Sequence, residues 1–147
     1  MNEVKKNRIT KLTARINDVS KIFNDELNEK CFKDGISPAT RRIMFYLSGQ
    51  KHVNQLYIVK QTRLKAPTIS VSLSRLEEKG IITRKANEYD LRNMLVSLTE
   101  KGKELDEKII KYSDEIDERM MRGITKEEID ACLKVLDKLE ANIVSKD

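Results

Sequence analysis

Cysteine is scarce in this 147-residue chain: Cys31 and Cys132 are the only two, and they lie far apart. That excludes a disulfide framework and a Cys-x-x-Cys metal site. Histidine is scarcer still. His52 stands alone with no Cys, Asp or Glu near it in sequence, so a metal-ligand cluster has nothing to build on. No apolar run approaches the roughly 18 residues that a membrane span requires. The start, Met1-Asn2-Glu3-Val4-Lys5-Lys6, lacks the hydrophobic stretch of a signal peptide. A soluble cytoplasmic protein is therefore the expectation. No Ser-His-Asp set and no glycine-rich phosphate cradle is present, so neither an enzyme nor a bound cofactor is expected.

What is there is enough for a core. Hydrophobic residues make up 39% and charged residues 36% of a 17.1 kDa chain, which excludes collagen-like composition and argues against wholesale disorder. The length suits one domain or one compact two-part protomer. The charge is unevenly placed. Residues 38–98 carry 11 Lys/Arg against 4 Asp/Glu, whereas residues 99–147 carry 10 against 14. No acidic residue occurs between Asp34 and Glu77, although Arg41, Arg42, Lys51, Lys60, Arg63, Lys65 and Arg75 fall there. A polyanionic partner would account for such a run. So would a fluctuation in a lysine-rich chain.

Periodicity divides the chain into helices and one hairpin. Ile9, Leu12, Ile16, Val19 and Phe23 form one stripe of a helix over 7–30. Ser37-Pro38 starts a second helix, which buries Ile43, Met44 and Leu47 and stops near Gly49. Asn54 can cap a third with Leu56, Ile58 and Val59. A turn over 62–65 leads to a fourth helix, from Ala66 or Pro67 to Lys79, ended by Gly80. Two β-prone runs, 81–84 and 94–98, flank a polar loop. Thr99 caps a fifth helix with the stripe Leu105, Ile109, Tyr112, Ile116 and Met120. Thr125 and Glu128 form a capping box before a last helix carrying Ile129, Leu133, Leu136, Leu139 or Glu140, and Ile143. The fold class is mainly α with a small β-hairpin wing. Residues 37–98 form a winged helix-turn-helix domain, and the helices of 1–36 and 99–147 supply long apolar stripes that seek other helices.

The fourth helix carries the functional argument. At 100° per residue, Ile69, Leu73 and Leu76 share one face. The opposite side offers Pro67, Val71 and Ser74, flanked by Thr68, Ser70 and Arg75. These are small, hydroxylic or cationic, and none is acidic. A helix enters a major groove about 12 Å wide only if its outward face is slim and does not repel phosphate. An ordinary amphipathic helix with a serine-rich solvent face has the same composition. In the hairpin, Arg84 and Lys85 end the first strand, and Arg84 joins the candidate DNA-contacting residues. Arg92 stands on the loop, where an arginine can reach into a minor groove, with Asp90 two residues earlier to aim it. A surface ion pair without a role is the plain alternative.

These residues carry a likeness. Leu73 to Arg84, then Asp90-Leu91-Arg92, then Val96-Ser97-Leu98-Thr99-Glu100-Lys101-Gly102 resemble the MarR family of bacterial transcription regulators. That family's pattern is a recognition helix ending in a Lys-Gly element, a wing with Asp-x-Arg, and a Leu-Thr-x-x-Gly start to the next helix. The resemblance implies a homodimer built on the terminal helices, with two winged domains binding double-stranded DNA at a palindromic operator, most often as a repressor. It makes Arg92 the minor-groove arginine and Asp90 its positioner. It also matches Pro67, Thr68, Ser70, Val71, Ser74 and Arg75 to the base- and phosphate-contacting stretch. Arg63 stands where many relatives carry glycine, and Thr62 where the position is often apolar.

The likeness further implies release of DNA by a small aromatic or lipophilic effector, in a cleft between the first, second and fifth helices. Phe23, Met44, Tyr46 and Tyr112 are candidates for its wall by position, with core or interface the plainer reading of each. An oxidant-sensing regulator acting through Cys31 is one alternative, although Cys31 and Cys132 both read as buried or bystander thiols. A winged module that docks protein and has lost DNA binding is the other.

Overall fold

The computed structural model describes Glu3, residues 11–89 and residues 93–144. The chain divides into two compact units, residues 1–116 and 117–147. The first unit opens with α1 (Leu12–Lys33), which buries only Leu27 and Cys31 near its C-terminal end. Leu12, Val19 and Ile22 on the same helix are exposed, while Ile16 and Phe23 are half-buried; Ile9 lies outside the described residues. The helix runs three residues beyond the expected end. It stops where Gly35 turns left-handed, at φ 73°, so that the Ile36 amide bonds back to the Cys31 carbonyl at 3.0 Å.

Ser37 caps α2 (Pro38–Leu47) by accepting from the Thr40 amide, and the helix buries Ile43, Met44 and Leu47 as its spacing requires. A short strand that alternation in the sequence did not reveal follows, β1 (Val53–Asn54). The Asn54 side chain accepts from the Leu56 amide at 2.9 Å and starts α3 (Gln55–Thr62). The turn to α4 (Ala66–Glu78) passes through Arg63 in the left-handed region, at φ 55° and ψ 16°. A non-glycine residue there is strained. Thr62 offsets part of that strain. Its buried hydroxyl donates to the Ile58 carbonyl at 2.8 Å and accepts from the Leu64 amide at 3.4 Å.

After α4 come β2 (Ile82–Ala86) and β3 (Met94–Leu98), which pair antiparallel with Ile82 opposite Leu98 and Ala86 opposite Met94. β1 adds to the other edge of β3, giving a three-stranded sheet in the order β1-β3-β2. β2 therefore runs to Ala86, two residues past the expected run, with Arg84 paired opposite Val96 and Lys85 opposite Leu95. Ile43, Met44, Leu47, Ile58, Ile69, Leu73, Ile82 and Val96 close the core between the sheet, α2, α3 and α4.

The start of α5 (Glu100–Met120) gives the Leu-Thr-x-x-Gly element a physical reason. The Thr99 hydroxyl donates to the Gly80 carbonyl and accepts from the Gly102 amide, linking the helix start to the end of α4. A Cβ on Gly102 would sit 2.1 Å from the Ile81 carbonyl oxygen, so only glycine lets α5 approach so closely. Ile109 and Ile116 are the buried members of its stripe within this unit. The second unit contains α6 (Lys126–Val144). Its capping box is closed in both directions, the Glu128 amide on Thr125 and the Thr125 amide on Glu128. None of its residues is buried. Among the described residues no helix is long and apolar enough to cross a membrane.

Candidate nucleic-acid interface

The fourth helix has the phase that its spacing predicts. Ile69, Leu73 and Leu76 are buried, and Pro67, Thr68, Ser70, Val71 and Arg75 are exposed. Val71 is an apolar side chain held 52% open to solvent with no neighbour to cover it by periodicity. Ser74 is half-buried at the edge of this face. Pro67 occupies the first turn, where its missing N–H costs nothing, and no acidic residue lies in that turn. The face is thus narrow, unfilled and free of negative charge from Pro67 to Arg75.

Asp90 and Arg92 lie outside the described residues. The flanks of the wing are described: Asn87 donates its backbone N–H to the Asn93 carbonyl at 2.9 Å, closing the base of the loop. Tyr89 is 96% exposed at the tip. Arg84 is not splayed toward solvent. Strand alternation puts it on the same face as buried Ile82, and its side chain is only 18% exposed. One guanidinium nitrogen meets Glu77 Oε1 at 3.2 Å and Ser74 Oγ at 3.3 Å, and Nε meets Glu77 Oε2 at 3.4 Å. These bonds hold the Glu77 carboxyl below the usual carboxylate range. The pairing of strand to helix was not foreseen. Its signal, an acid at the end of one element and an arginine in the next, is common in unrelated sequences.

The cleft between α1, α2 and α5 exists, with a volume of about 460 Å³. Phe23 lines it, joined by Leu27, Arg41, Phe45, Asp106 and Ile109. The other three candidates do not line it. Met44 is fully buried core, Tyr46 donates to the Gln61 carbonyl beside a second cleft, and Tyr112 bonds Asp34. Arg41 is held there by the side-chain oxygens of Asn28, at 2.7 Å, and Asn24, at 3.0 Å. Ser48 donates to buried Asp106 at 2.7 Å, fastening the end of α2 to α5.

The thiols divide. Cys31 has no exposed surface, and burial pushes its pKa up against the pull of Arg41. Thiolate, the reactive form, is therefore disfavoured there. Cys132 is exposed on α6. His52 is exposed next to β1.

Known proteins share this arrangement. Residues 27–109 match the family described as transcriptional regulator SarA/Rot. A MarR-family transcriptional regulator from Silicibacter pomeroyi is 25% identical, with 89% of this chain and 88% of that one covered at a TM-score of 0.77. Wild-type MarR from E. coli, in its apo form, is 22% identical over 89% of this chain and 97% of its own, also at 0.77. MepR, a transcription regulator of the Staphylococcus aureus multidrug efflux pump MepA, is 22% identical over 90% and 98%, at 0.70. The match covers the winged unit from the end of α1 into α5, including the exposed face of α4 and the Thr99–Gly102 junction. The chain belongs to the SarA/Rot family of transcriptional regulators, winged-helix proteins of MarR type.

Proposed function

We propose that the chain represses transcription as a cytoplasmic homodimer bound to a palindromic operator, and that a small aromatic or lipophilic molecule releases it. One observation carries the DNA reading: the solvent-facing side of α4, from Pro67 to Arg75, is slim, open and without acid. In this reading Pro67, Thr68, Ser70, Val71, Ser74 and Arg75 meet base edges and phosphates in the major groove, and Arg92, aimed by Asp90, enters the minor groove. The free amides at the start of α4 favour a phosphate.

Residues 1–36 and 99–147 supply the dimer interface. Support comes from apolar side chains left uncovered on both: Leu12, Val19 and Ile22 of α1, and Leu133, Leu136 and Ile143 of α6. A second copy covers such stripes at the least cost. The 460 Å³ cleft is of a size that suits a small organic effector. A ligand there wedges α5 against α2 and alters the spacing of the two recognition helices; a coupling on the order of 1–3 kcal/mol suffices.

Selection of genomic fragments by the purified protein tests the reading. The bound fragments should share two inverted half-sites about one helical turn, roughly 34 Å, apart. Affinity should fall with salt at a log–log slope near −0.9 for each phosphate contacted. Arg92→Ala should weaken operator binding by about 1–3 kcal/mol with the dimer intact. Salt-insensitive binding, or none to any duplex, would favour a protein-docking module.

A further inference from the structure

The wing base and the recognition helix are joined by a guanidinium. We infer that Arg84 is a positioning residue: it sets the wing against α4 through Glu77 and orients the Ser74 hydroxyl, and does not itself grip DNA. The inference rests on the DNA-binding reading above and changes the role expected for Arg84 within it.

Three observations support it. Arg84 points to the core side of β2, in line with Ile82, at the last layer before the wing leaves the body of the protein. Three of the five N–H donors of its guanidinium are engaged: Nε and one terminal nitrogen close a two-pronged contact with the two oxygens of Glu77, a planar match that fixes both distance and angle. The same terminal nitrogen donates to Ser74 Oγ. With that lone pair occupied, Ser74 is biased to offer its own O–H outward, toward an acceptor such as an exposed guanine or thymine oxygen.

The arrangement also answers an electrostatic problem. Glu77 is the first acid after the 42-residue acid-free stretch and sits one turn from the groove-facing residues. Left bare, its carboxylate would repel phosphate. Bound by Arg84, it contributes geometry at little electrostatic cost.

Two readings of Arg84 predict opposite signs. If Arg84 gripped phosphate, Glu77 would compete with DNA for it. Glu77→Gln would then free the arginine, remove a negative charge and tighten binding. If Arg84 positions the wing, Glu77→Gln loosens the joint and weakens binding although the protein has become more positive. The experiment uses the full-length dimer, a duplex selected by the unmodified protein, and a scrambled duplex of equal length. Arg84→Lys keeps the charge but not the planar fork. We expect it to lose about tenfold in affinity for the selected duplex, and Glu77→Gln about fivefold. Affinity for the scrambled duplex and the salt slope should hold, since no phosphate contact is lost.

Arg84→Lys at unmodified affinity, tighter binding by Glu77→Gln, or a slope reduced by about 0.9 in either variant overturns the inference while sparing the DNA reading. An unmodified protein that prefers neither duplex overturns both. Should Arg84→Lys unfold, which circular dichroism would reveal, Glu77→Gln decides alone by its sign.

Discussion

Helices α4 and α6 are alike as sequences and opposite as structures. Each carries a stripe of Leu and Ile at spacings of three and four. On α4 the stripe is wholly buried, Ile69 and Leu73 having no exposed surface. On α6 no residue is buried, and Leu133 is 53% exposed. Periodicity thus specifies that a face will be covered but not by what. For α4 the cover is the chain's own sheet and helices; for α6 it is, in the proposed homodimer, a second protomer.

The largest effects should separate the two stripes. Leu73→Ala leaves a void in a closed core and should destabilise the protein by about 2–5 kcal/mol, read by chemical denaturation. Leu133→Ala, on the open stripe, should change the stability of a dilute protomer little. It should instead raise the dimer dissociation constant, seen by sedimentation at falling concentration. Equal losses of folding stability from both would end the distinction. The opposite faces invert the test. Val71→Glu lies on the uncovered side of α4, so it should abolish operator binding by phosphate repulsion while the melting temperature holds. If Val71→Glu unfolds the protein, the outward face has been misassigned.

The junction behind α4 should come next. Gly102→Ala would drive a methyl into the Ile81 carbonyl, and the shift of α5 needed to relieve it should cost about 1–3 kcal/mol. A variant as stable as the parent would show that α5 does not need this close approach. At the front of α4 the sign reverses. Arg63→Gly relieves a left-handed side chain and should raise stability by about 0.5–1 kcal/mol, net of glycine's greater freedom when unfolded. The gain should be visible as a small rise in melting temperature.

How far sequence alone reached follows from these same elements. Caps and stripes are local, so Ser37, Asn54, Thr99 and the Thr125–Glu128 box stood out, as did the phase of α4. Interactions between elements were less legible. The two residues of β1 are too few to show alternation and exist because β3 offers an edge. Arg84 read as a DNA contact because its partner Glu77 belongs to another element. Of the four side chains proposed for the cleft, Phe23 alone lines it; Met44 went to the core because three helices and the sheet converge on it. The outward-facing set on α4 was readable because it depends on helical phase alone.

The smallest effect concerns a tie within the first unit, in contrast to the uncovered stripes. Asp34, at the end of α1, accepts from Lys108 at 2.7 Å and from the Tyr112 hydroxyl on α5. Those bonds, the lysine's first and the tyrosine's next, hold the Asp34 carboxyl below its ordinary value of 3.8 and raise Lys108 above 10.5. For a carboxyl lowered on folding, the stabilisation is present above the unfolded value and fades as pH falls through the folded one. For a lysine raised on folding, it is present below the unfolded value and fades as pH climbs through the folded one. The tie is therefore complete at neutral pH and fails first on the acid side. Asp34→Asn should lower the melting temperature slightly at pH 7, and the gap from the parent should narrow as pH drops below 3.8. The effect is small for three reasons: the groups are exposed, salt screens them, and a carboxylate at a helix C-terminus is opposed by the helix dipole. A gap that does not narrow at all as pH falls below 3.8 would mean that the side chain acts there by shape or capping and not by charge.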